Sequence, residues 1–566
     1  MINLGIKNNI KTLTGAKIIL ETLKNQGVDT IFGYPGGIVL EIYDELFMQT
    51  DIKHILSGHE QACIHSAEGY ARTSGKTGVV LVTSGPGATN LITGLANAYL
   101  DGFPLVVLTG QVTKNLIGKD AFQEVNIVDI THSCTKKNFQ VTDVNELEKT
   151  LVEAFEIANS GKKGPVLVDL AKNIFSQTTE FKAVTMTTTT KNSNFYDYSS
   201  NSSNYCNNPI NSTAANFYTK ELLSKLKNAK KPVIIAGGGV KHSSAYAELT
   251  AFANRTKIPV VSTMLGLGSF DYKNPLYFGM IGIFGSPCAN EILRQSDLVI
   301  SLGARLNDRI ITCFKNGELE NKIVQIDINS HQFGKFYKPL MTINDDIKNV
   351  LNSLSCCNCD FSSWSKSLLN IQYQNDTETK MVKSGGKLSS LEVVEAVWNY
   401  TKNMNLPVAT EVGQHQLWCA KGYKFSYPEQ FITSGGLGAM GFGFPASIGA
   451  SIAKNGGKVI CFAGDGSLGM NLQEFGTCVN YNLPIKIMLM DNGYLGMVRQ
   501  LQEKNCDGRY SETQIHNPDF VKLCSSYGIE AIRVETSEQI QPALEKCFSS
   551  PKPFLIDFVT EPMEVV

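Results

Sequence analysis

No apolar run in this 566-residue sequence reaches the roughly 18–20 residues needed to cross a bilayer, which excludes membrane-spanning helices. Met1 to Lys17 has no apolar core and no small-residue cleavage site, so a secretory leader is not expected either. An excess of one charge is also missing. Lys plus Arg number 51 and Asp plus Glu 52, a net charge of −1, so no global field favours nucleic acid or an anionic membrane as a partner. The 14 cysteines are thinly spread, unlike a secreted disulfide scaffold. Cys356, Cys357 and Cys359 cluster, but no second Cys or Cys/His pair follows at zinc-site spacing. No G-x-G-x-x-G opens a helix with an acid about 20 residues later, which argues against a nicotinamide dehydrogenase. The expectation is a cytoplasmic protein with reduced thiols.

What the sequence does have is alternation. Apolar strand-like runs such as Thr77–Thr83, Pro104–Thr109, Pro232–Ala236, Pro259–Thr263, Asp297–Leu302, Lys322–Ile328, Lys458–Ala463, Pro484–Met490 and Pro553–Val559 are separated by amphipathic helical patterns. Runs without polar alternation suit strands buried on both faces, as in parallel sheets. Two polar stretches, 179–216 and 354–387, read as linkers, although Phe361–Tyr373 has helical spacing. The predicted fold is α/β, with three doubly wound parallel-sheet domains over 12–178, 217–353 and 388–566, the first and third open to sharing a fold.

Ligands in such sheets gather at the carboxyl ends of strands. The strand VICFA runs into Gly464-Asp465-Gly466-Ser467, and a second strand, IKIMLM, ends at Asp491-Asn492. Adjacent parallel strands would set Asp465 and Asn492 side by side. An acid and an amide oxygen are hard ligands suited to Mg²⁺ with phosphate oxygens completing the shell. The glycines admit phosphate close to the backbone, and a helix start adds N–H groups. Alone, GDGS is explained about as well by a tight turn. A lone acid such as Glu60, at a predicted helix start, is most simply a complement to the helix dipole.

Taken together, the runs GYPGG (33–37), SGHEQ (57–61), VTSGPGATN (82–90), LTGQV (108–112), DAFQE (120–124), CTKKNF (134–139), PVLVDLAK (165–172), EVGQHQ (411–416), GLGAMGFGFPA (436–446), GDGS (464–467) and GRYSETQIHNPDFVKL (508–523) resemble the catalytic subunits of the acetohydroxyacid (acetolactate) synthase family. The resemblance extends from about Thr14 to Thr560. It implies a thiamine-diphosphate enzyme that decarboxylates pyruvate and joins the two-carbon fragment to a second 2-keto acid. Two pyruvates would give 2-acetolactate, a reaction of branched-chain amino-acid biosynthesis. Another thiamine-diphosphate decarboxylase, carboligase or oxidase with a different acceptor is the alternative.

By position, the resemblance assigns Glu60 to the aminopyrimidine nitrogen, and Asp465, Asn492 and the Tyr494 carbonyl to Mg²⁺. Tyr34, Pro35, Pro86, Asn90, Val412, Gly413, Gln414, His415, Gly438, Gly464, Gly466, Ser467, Gly496 and Met497 would line the cofactor. Met440 would support its bent form. Gly37, Phe122, Gln123 and Lys172 would face substrate or intermediate. The middle block resembles an FAD-binding domain, with Gly237, Gly238, Gly239, Gly303, Arg305 and Asp327 in contact segments. Arg305, like Lys172, would also lie near the substrate channel. FAD would be structural there, since the chemistry has no net redox step. Departures fall at Phe284, Ser286, Leu306 and Asn307. Leu501 stands where biosynthetic members carry a Trp that favours 2-ketobutyrate, and Gly58 replaces an Arg. The sequence ends at Val566, before the family's C-terminal cover, so a more open site is expected. The family also implies a homodimer or tetramer with sites between subunits, and a possible regulatory subunit.

Overall fold

A computed structural model describes residues 10–182, 213–315, 317–368 and 387–566. Three six-stranded sheets form its frame. The first contains β2 (Thr30–Tyr34), β3 (Lys53–Leu56), β4 (Gly78–Val82), β5 (Leu105–Gln111), β6 (Lys137–Val141) and β7 (Pro165–Ala171), in the order β3-β2-β4-β5-β7-β6. The second contains β9 (Pro232–Ala236), β10 (Val260–Ser262), β11 (Tyr277–Met280), β12 (Leu298–Leu302), β13 (Ile323–Ile326) and β14 (Met341–Ile343), in the order β11-β10-β9-β12-β13-β14. The third contains β15 (Val408–Thr410), β16 (Phe431–Ile432), β17 (Val459–Gly464), β18 (Ile485–Asp491), β19 (Glu530–Val534) and β20 (Phe554–Val559), in the order β16-β15-β17-β18-β20-β19.

Every pairing within these sheets is parallel. Counting strands within each domain, the first and third sheets share the order 2-1-3-4-6-5, so the outer domains have one topology. The central sheet has the order 3-2-1-4-5-6 of dinucleotide-binding folds. The inner strands β4, β5, β7, β9, β12 and β17 are buried throughout, which is why they read as unbroken apolar runs.

Two stretches expected to be linkers are partly structured. Thr178–Lys182 forms β8, antiparallel to β1 (Ile10–Thr14), in a two-stranded sheet beside the first domain. Its run of polar Thr and Glu hid it. Residues 362–368 form a helix, and Phe361, Trp364 and Leu368 are buried in the central domain's core. The Trp364 indole donates to the Pro232 carbonyl. Residues 213–216 begin helix Thr213–Asn228, inside the stretch expected to be a linker; 183–212 and 369–386 lie outside the described residues.

The outer domains pack against each other through two helices, Glu60–Ser74 and Gly443–Ala453. Both are buried almost throughout. A Cβ on Gly69 would strike the Ala446 backbone, and one on Gly449 would strike that of Ser66. The two glycines therefore set how closely the helices cross. Ser66 Oγ donates to the Pro445 carbonyl at the crossing (2.9 Å). Beside it, Glu68 accepts from Arg72 and Asn97, and Arg72 also pairs with Asp101 at 2.7 Å. Burial opposes ionisation of Glu68, but the Arg72 charge, the nearby His65 ring and the hydrogen bonds from Asn97 overcome it and hold the carboxyl below its usual range.

Candidate active site

The ends of β17 and β18 are paired in register, Gly464 opposite Met490. This brings the loops carrying Asp465 and Asn492 together. Asp465 is buried; its Oδ1 accepts the Gly466 N–H (2.9 Å) and its Oδ2 the Gly493 N–H (2.7 Å). Burial, with the Asp491 charge nearby, pushes the carboxyl up to about 6 against these hydrogen bonds and that of Asn517. A divalent cation would reverse that tendency. Asn492 Oδ1 accepts the Tyr494 N–H (3.0 Å).

Tyr494 forms an isolated antiparallel bridge with Gln514. The flanking hydrogen bonds are Leu495 N–H to the Thr513 carbonyl (2.7 Å) and Ile515 N–H to the Gly493 carbonyl (2.9 Å). In a bridge of that kind the central residue's own N–H and C=O turn away from the partner strand. The Tyr494 carbonyl is thereby left available on the side of Asn492. One carboxylate, one amide oxygen and one carbonyl make a hard, oxygen-only donor set that fits Mg²⁺. It is also why no cluster of three or more His, Cys, Asp or Glu residues occurs among the described residues. The Cys356–Cys359 segment forms no such cluster.

The loop after β15 completes this side. A Cβ on Gly464 would lie 2.7 Å from His415 Nδ1, and one on Gly496 would collide with Gln414 Oε1. His415 is buried, its imidazole is pushed down to about 4 by burial, and its Nε2 has no hydrogen-bond partner. A buried, neutral ring with an unsatisfied nitrogen beside a glycine-rich strand end fits a phosphate-bearing ligand. Gly413 has φ +154°, and Ser467 Oγ donates to the Gly464 carbonyl (3.1 Å). Met497 lies in the first turn of helix Gly496–Asn505. Val412 lies 3.9 Å from where a Cβ on Gly438 would sit, and Met440 follows two residues later on a half-buried turn.

On the first domain, Glu60 is the first residue of helix Glu60–Ser74, half-buried, with His59 as N-cap. Asn90 donates to Glu60 Oε2 at 2.9 Å. The Gly58 N–H donates to Glu474 Oε1 (2.9 Å), and the Leu56 N–H to the Tyr481 hydroxyl (2.8 Å). The third domain of the same chain therefore fixes the turn before Glu60. Tyr34 is opposite Val82 in the β2–β4 register, and a Cβ on Gly36 would meet the Thr83 side chain. The segments carrying Tyr34, Pro35 and Gly37 and carrying Pro86 and Asn90 are thus neighbours. Gln123 has φ +57° and lies against Gly85. Phe122 beside it is 88% exposed. Lys172 caps a short helix after β7 and donates its N–H to the Gln111 carbonyl (2.9 Å).

In the central domain, Arg305 donates to the Leu100 carbonyl (2.9 Å) and pairs with Asp101 at 3.5 Å, so its cation ties the first domain to the central one. The glycines 237, 239 and 303 pack on one another: a Cβ on Gly237 would strike the Gly303 carbonyl, and one on Gly239 the Gly303 Cα at 2.7 Å. They allow the ends of β9 and β12 to approach closely. Gly238 meets Leu265 instead. Asp327, buried at the end of β13, accepts the Asn329 N–H (2.8 Å).

Four residues not singled out from the sequence support the site. Glu411, fully buried, accepts the Gly441 and Phe444 N–H groups (both 2.8 Å) and so holds the turn after Met440; burial pushes its carboxyl up to about 7. Gln500 accepts from Gln414 (2.7 Å) and from the Val566 N–H (3.1 Å). The Glu564 carbonyl takes Gln414 Nε2 (2.8 Å) and Arg499 Nη2 (2.6 Å), so the last residues dock beside the site. Asn517 bridges Asp465 and Asp491. Only Glu411 and Asn517 fall within runs that carry the family resemblance.

Models of thiamine pyrophosphate enzymes match all three domains: the N-terminal TPP binding domain over 13–130, the central domain over 219–354 and the C-terminal TPP binding domain over 411–558. The acetolactate synthase large subunit of Haemophilus influenzae is 38% identical over 553 residues, covering 95% of this chain and 93% of that protein. That of Lactococcus lactis is 39% identical over 561 residues (98% and 94%), and the isozyme 2 large subunit of Escherichia coli is 37% identical over 555 (98% and 97%). With that similarity spanning nearly its whole length and all three domains, the chain belongs to the acetolactate synthase large-subunit family of thiamine-diphosphate-dependent enzymes.

Proposed function

We propose that this chain decarboxylates pyruvate and condenses the two-carbon fragment with a second 2-keto acid, forming 2-acetolactate when that acceptor is pyruvate. The observation that carries this reading is the junction of Asp465, Asn492 and the His415 ring, whose Nε2 has no partner, at the ends of β15, β17 and β18. Thiamine diphosphate supplies the carbon nucleophile and the electron sink for loss of the carboxylate. Glu60 holds a proton against the aminopyrimidine nitrogen. Asp465, Asn492 and the Tyr494 carbonyl hold Mg²⁺, while Gln414, His415, Gly464, Gly466, Ser467 and Gly496 receive the diphosphate. Met440 supports the cofactor from below. Gly37, Phe122, Gln123 and Lys172 orient the substrates and exclude water.

The active unit in this reading is a homodimer in which Glu60 of one chain serves the cofactor held by Asp465 of the other. Exposed apolar side chains on the first domain, among them Tyr34, Leu40, Phe47, Met48 and Phe122, support a covering partner. The central domain holds FAD in a structural role; its 3-2-1-4-5-6 strand order supports this. A smaller regulatory chain is the further partner, in keeping with the relatives' designation as large subunits. Among the described residues, no helix is long and apolar enough to cross a membrane.

Product analysis tests the reading. Pyruvate with thiamine diphosphate and Mg²⁺ should yield acetolactate and one CO₂ per two pyruvates consumed. Acetaldehyde or acetate as the sole product would replace it with a decarboxylase or an oxidase.

A further inference from the structure

Asp465 is the one carboxylate in the proposed Mg²⁺ donor set, yet a second, Asp491, sits immediately before Asn492. Two acids this close to a divalent cation pose a selection problem: either could enter the coordination shell. Asn517 lies between them. Its Nδ2 donates to Asp465 Oδ2 at 2.8 Å and to Asp491 Oδ1 at 2.7 Å. An amide NH₂ has two hydrogens and no negative charge, so it satisfies both carboxylates at once without becoming a ligand through that atom. Asp491 is held from its other side by Arg533, whose Nη1 lies 3.9 Å from Asp491 Oδ2 and 3.1 Å from Asp557 Oδ2.

Asn517 also ends the strap that shapes the third donor. Thr513 and Ile515 hydrogen-bond Leu495 and Gly493 on either side of Tyr494. Gln502 clamps the strap's start, donating to the Ser511 carbonyl (3.0 Å) and accepting the Ser511 N–H (3.2 Å) and Thr513 hydroxyl (3.3 Å). One short segment thus touches the Asp465 carboxylate and frames the Tyr494 carbonyl.

We propose that Asn517 is a positioning residue for the metal: it orients Asp465 toward the cation and keeps Asp491 out of the coordination shell. This rests on the Mg²⁺–thiamine-diphosphate reading above. Removal of such an outer hydrogen-bond partner costs about 10–100-fold in metal affinity in other sites.

The test uses the full-length protein and titrates Mg²⁺ at fixed thiamine diphosphate. Binding is followed by tryptophan fluorescence, for which Trp418 in helix Gln414–Gly422 is a local reporter. Asn517→Ala and Asn517→Leu should each raise the half-saturating Mg²⁺ by about 10-fold or more. The melting temperature of the cofactor-free protein should stay at the parent value, and kcat of Asn517→Ala should recover at saturating Mg²⁺. An unchanged half-saturation in both variants overturns the proposal, whether or not the cofactor-free melting temperature falls. Absence of any Mg²⁺-dependent binding in the parent protein would overturn the metal-site reading itself, and this inference with it.

Discussion

Asn90 donates its side-chain N–H to Glu60 at 2.9 Å, joining the turn after β4 to the first residue of the helix after β3. That bond fixes one carboxylate oxygen of Glu60 and leaves the other, near Gly87, to face a ligand. Glu60→Gln keeps the shape and the Asn90 contact but cannot hold the proton in the same way. It should lower kcat by about 10²–10⁴-fold, the usual contribution of a positioned acid–base group. Thiamine-diphosphate affinity, measured by fluorescence titration, should stay near the parent value. Near-parental turnover in this variant would remove Glu60 from the mechanism.

Leu501 is 46% exposed on helix Gly496–Asn505, one turn after Met497. If it lines the acceptor pocket, Leu501→Trp should shift the product ratio toward 2-aceto-2-hydroxybutyrate in pyruvate/2-ketobutyrate mixtures. A single apolar change of this size is worth about 1–3 kcal/mol of selectivity. Mass spectrometry of products would show no shift if Leu501 lies outside the pocket.

The crossing of helices Glu60–Ser74 and Gly443–Ala453 makes a purely structural prediction. Gly449→Ala sets a methyl group against the Ser66 backbone, which cannot swing aside as a side chain would. Overpacking of this kind typically costs about 1–3 kcal/mol, and more when backbone must move. Thermal unfolding should show a marked loss, and Gly69→Ala the same. Gly456→Ala serves as a control with open space, since a Cβ there meets nothing within 4 Å. Its φ of +80° still imposes local strain, so a modest loss is expected.

Buried ionisable groups give a pH signature that appears only in variants. Burial raises Glu411 from 4.5 to about 7, so between those values the folded chain keeps a proton that the unfolded chain releases. Stability attributable to this group is therefore lost as pH rises through that window. Buried His415, His242 and His54, pushed down to about 4, 3 and 4, act in the opposite sense: the unfolded chain takes up protons below 6.5 that the folded one refuses. A variant at Glu411 separates the acid's share from that of the histidines. In Glu411→Gln the acid's share is gone, so the variant should gain stability relative to the parent as pH rises from 5 to 7. The slope approaches at most about 1.4 kcal/mol per pH unit for one proton. Denaturant unfolding at several pH values would contradict this if the difference stayed constant.

Much of the frame was legible because the inner strands are buried on both faces. The expected Pro232–Ala236 coincides with β9, and Lys458–Ala463 and Pro484–Met490 fall within a residue of β17 and β18. The edge strands β3, β6 and β19 consist mostly of exposed or half-buried residues and left no such run. β8 was hidden because its partner, β1, lies 164–172 positions away in the pairing, and a Thr-rich stretch reads as a linker. At the site, glycine, acid and amide spacing pointed to Asp465 and Asn492. Gln500, Glu411 and Asn517 gave no separate signal, because what they do depends on contacts 26 to 86 residues away. Arg305 likewise has partners that no local pattern announced, the Leu100 carbonyl and Asp101, both from the first domain.

The central claim is that Glu60 and Asp465 serve one cofactor from two chains, and subunit mixing tests it directly. Glu60→Gln and Asp465→Ala variants should each be nearly inactive alone. After dissociation and reassembly at equal amounts, half of the dimers are hybrids, each with one site built from two intact halves, so activity should return to about a quarter of the parent value. If native mass spectrometry confirms hybrid dimers and the mixture remains inactive, the two residues do not meet across a subunit boundary and the account fails.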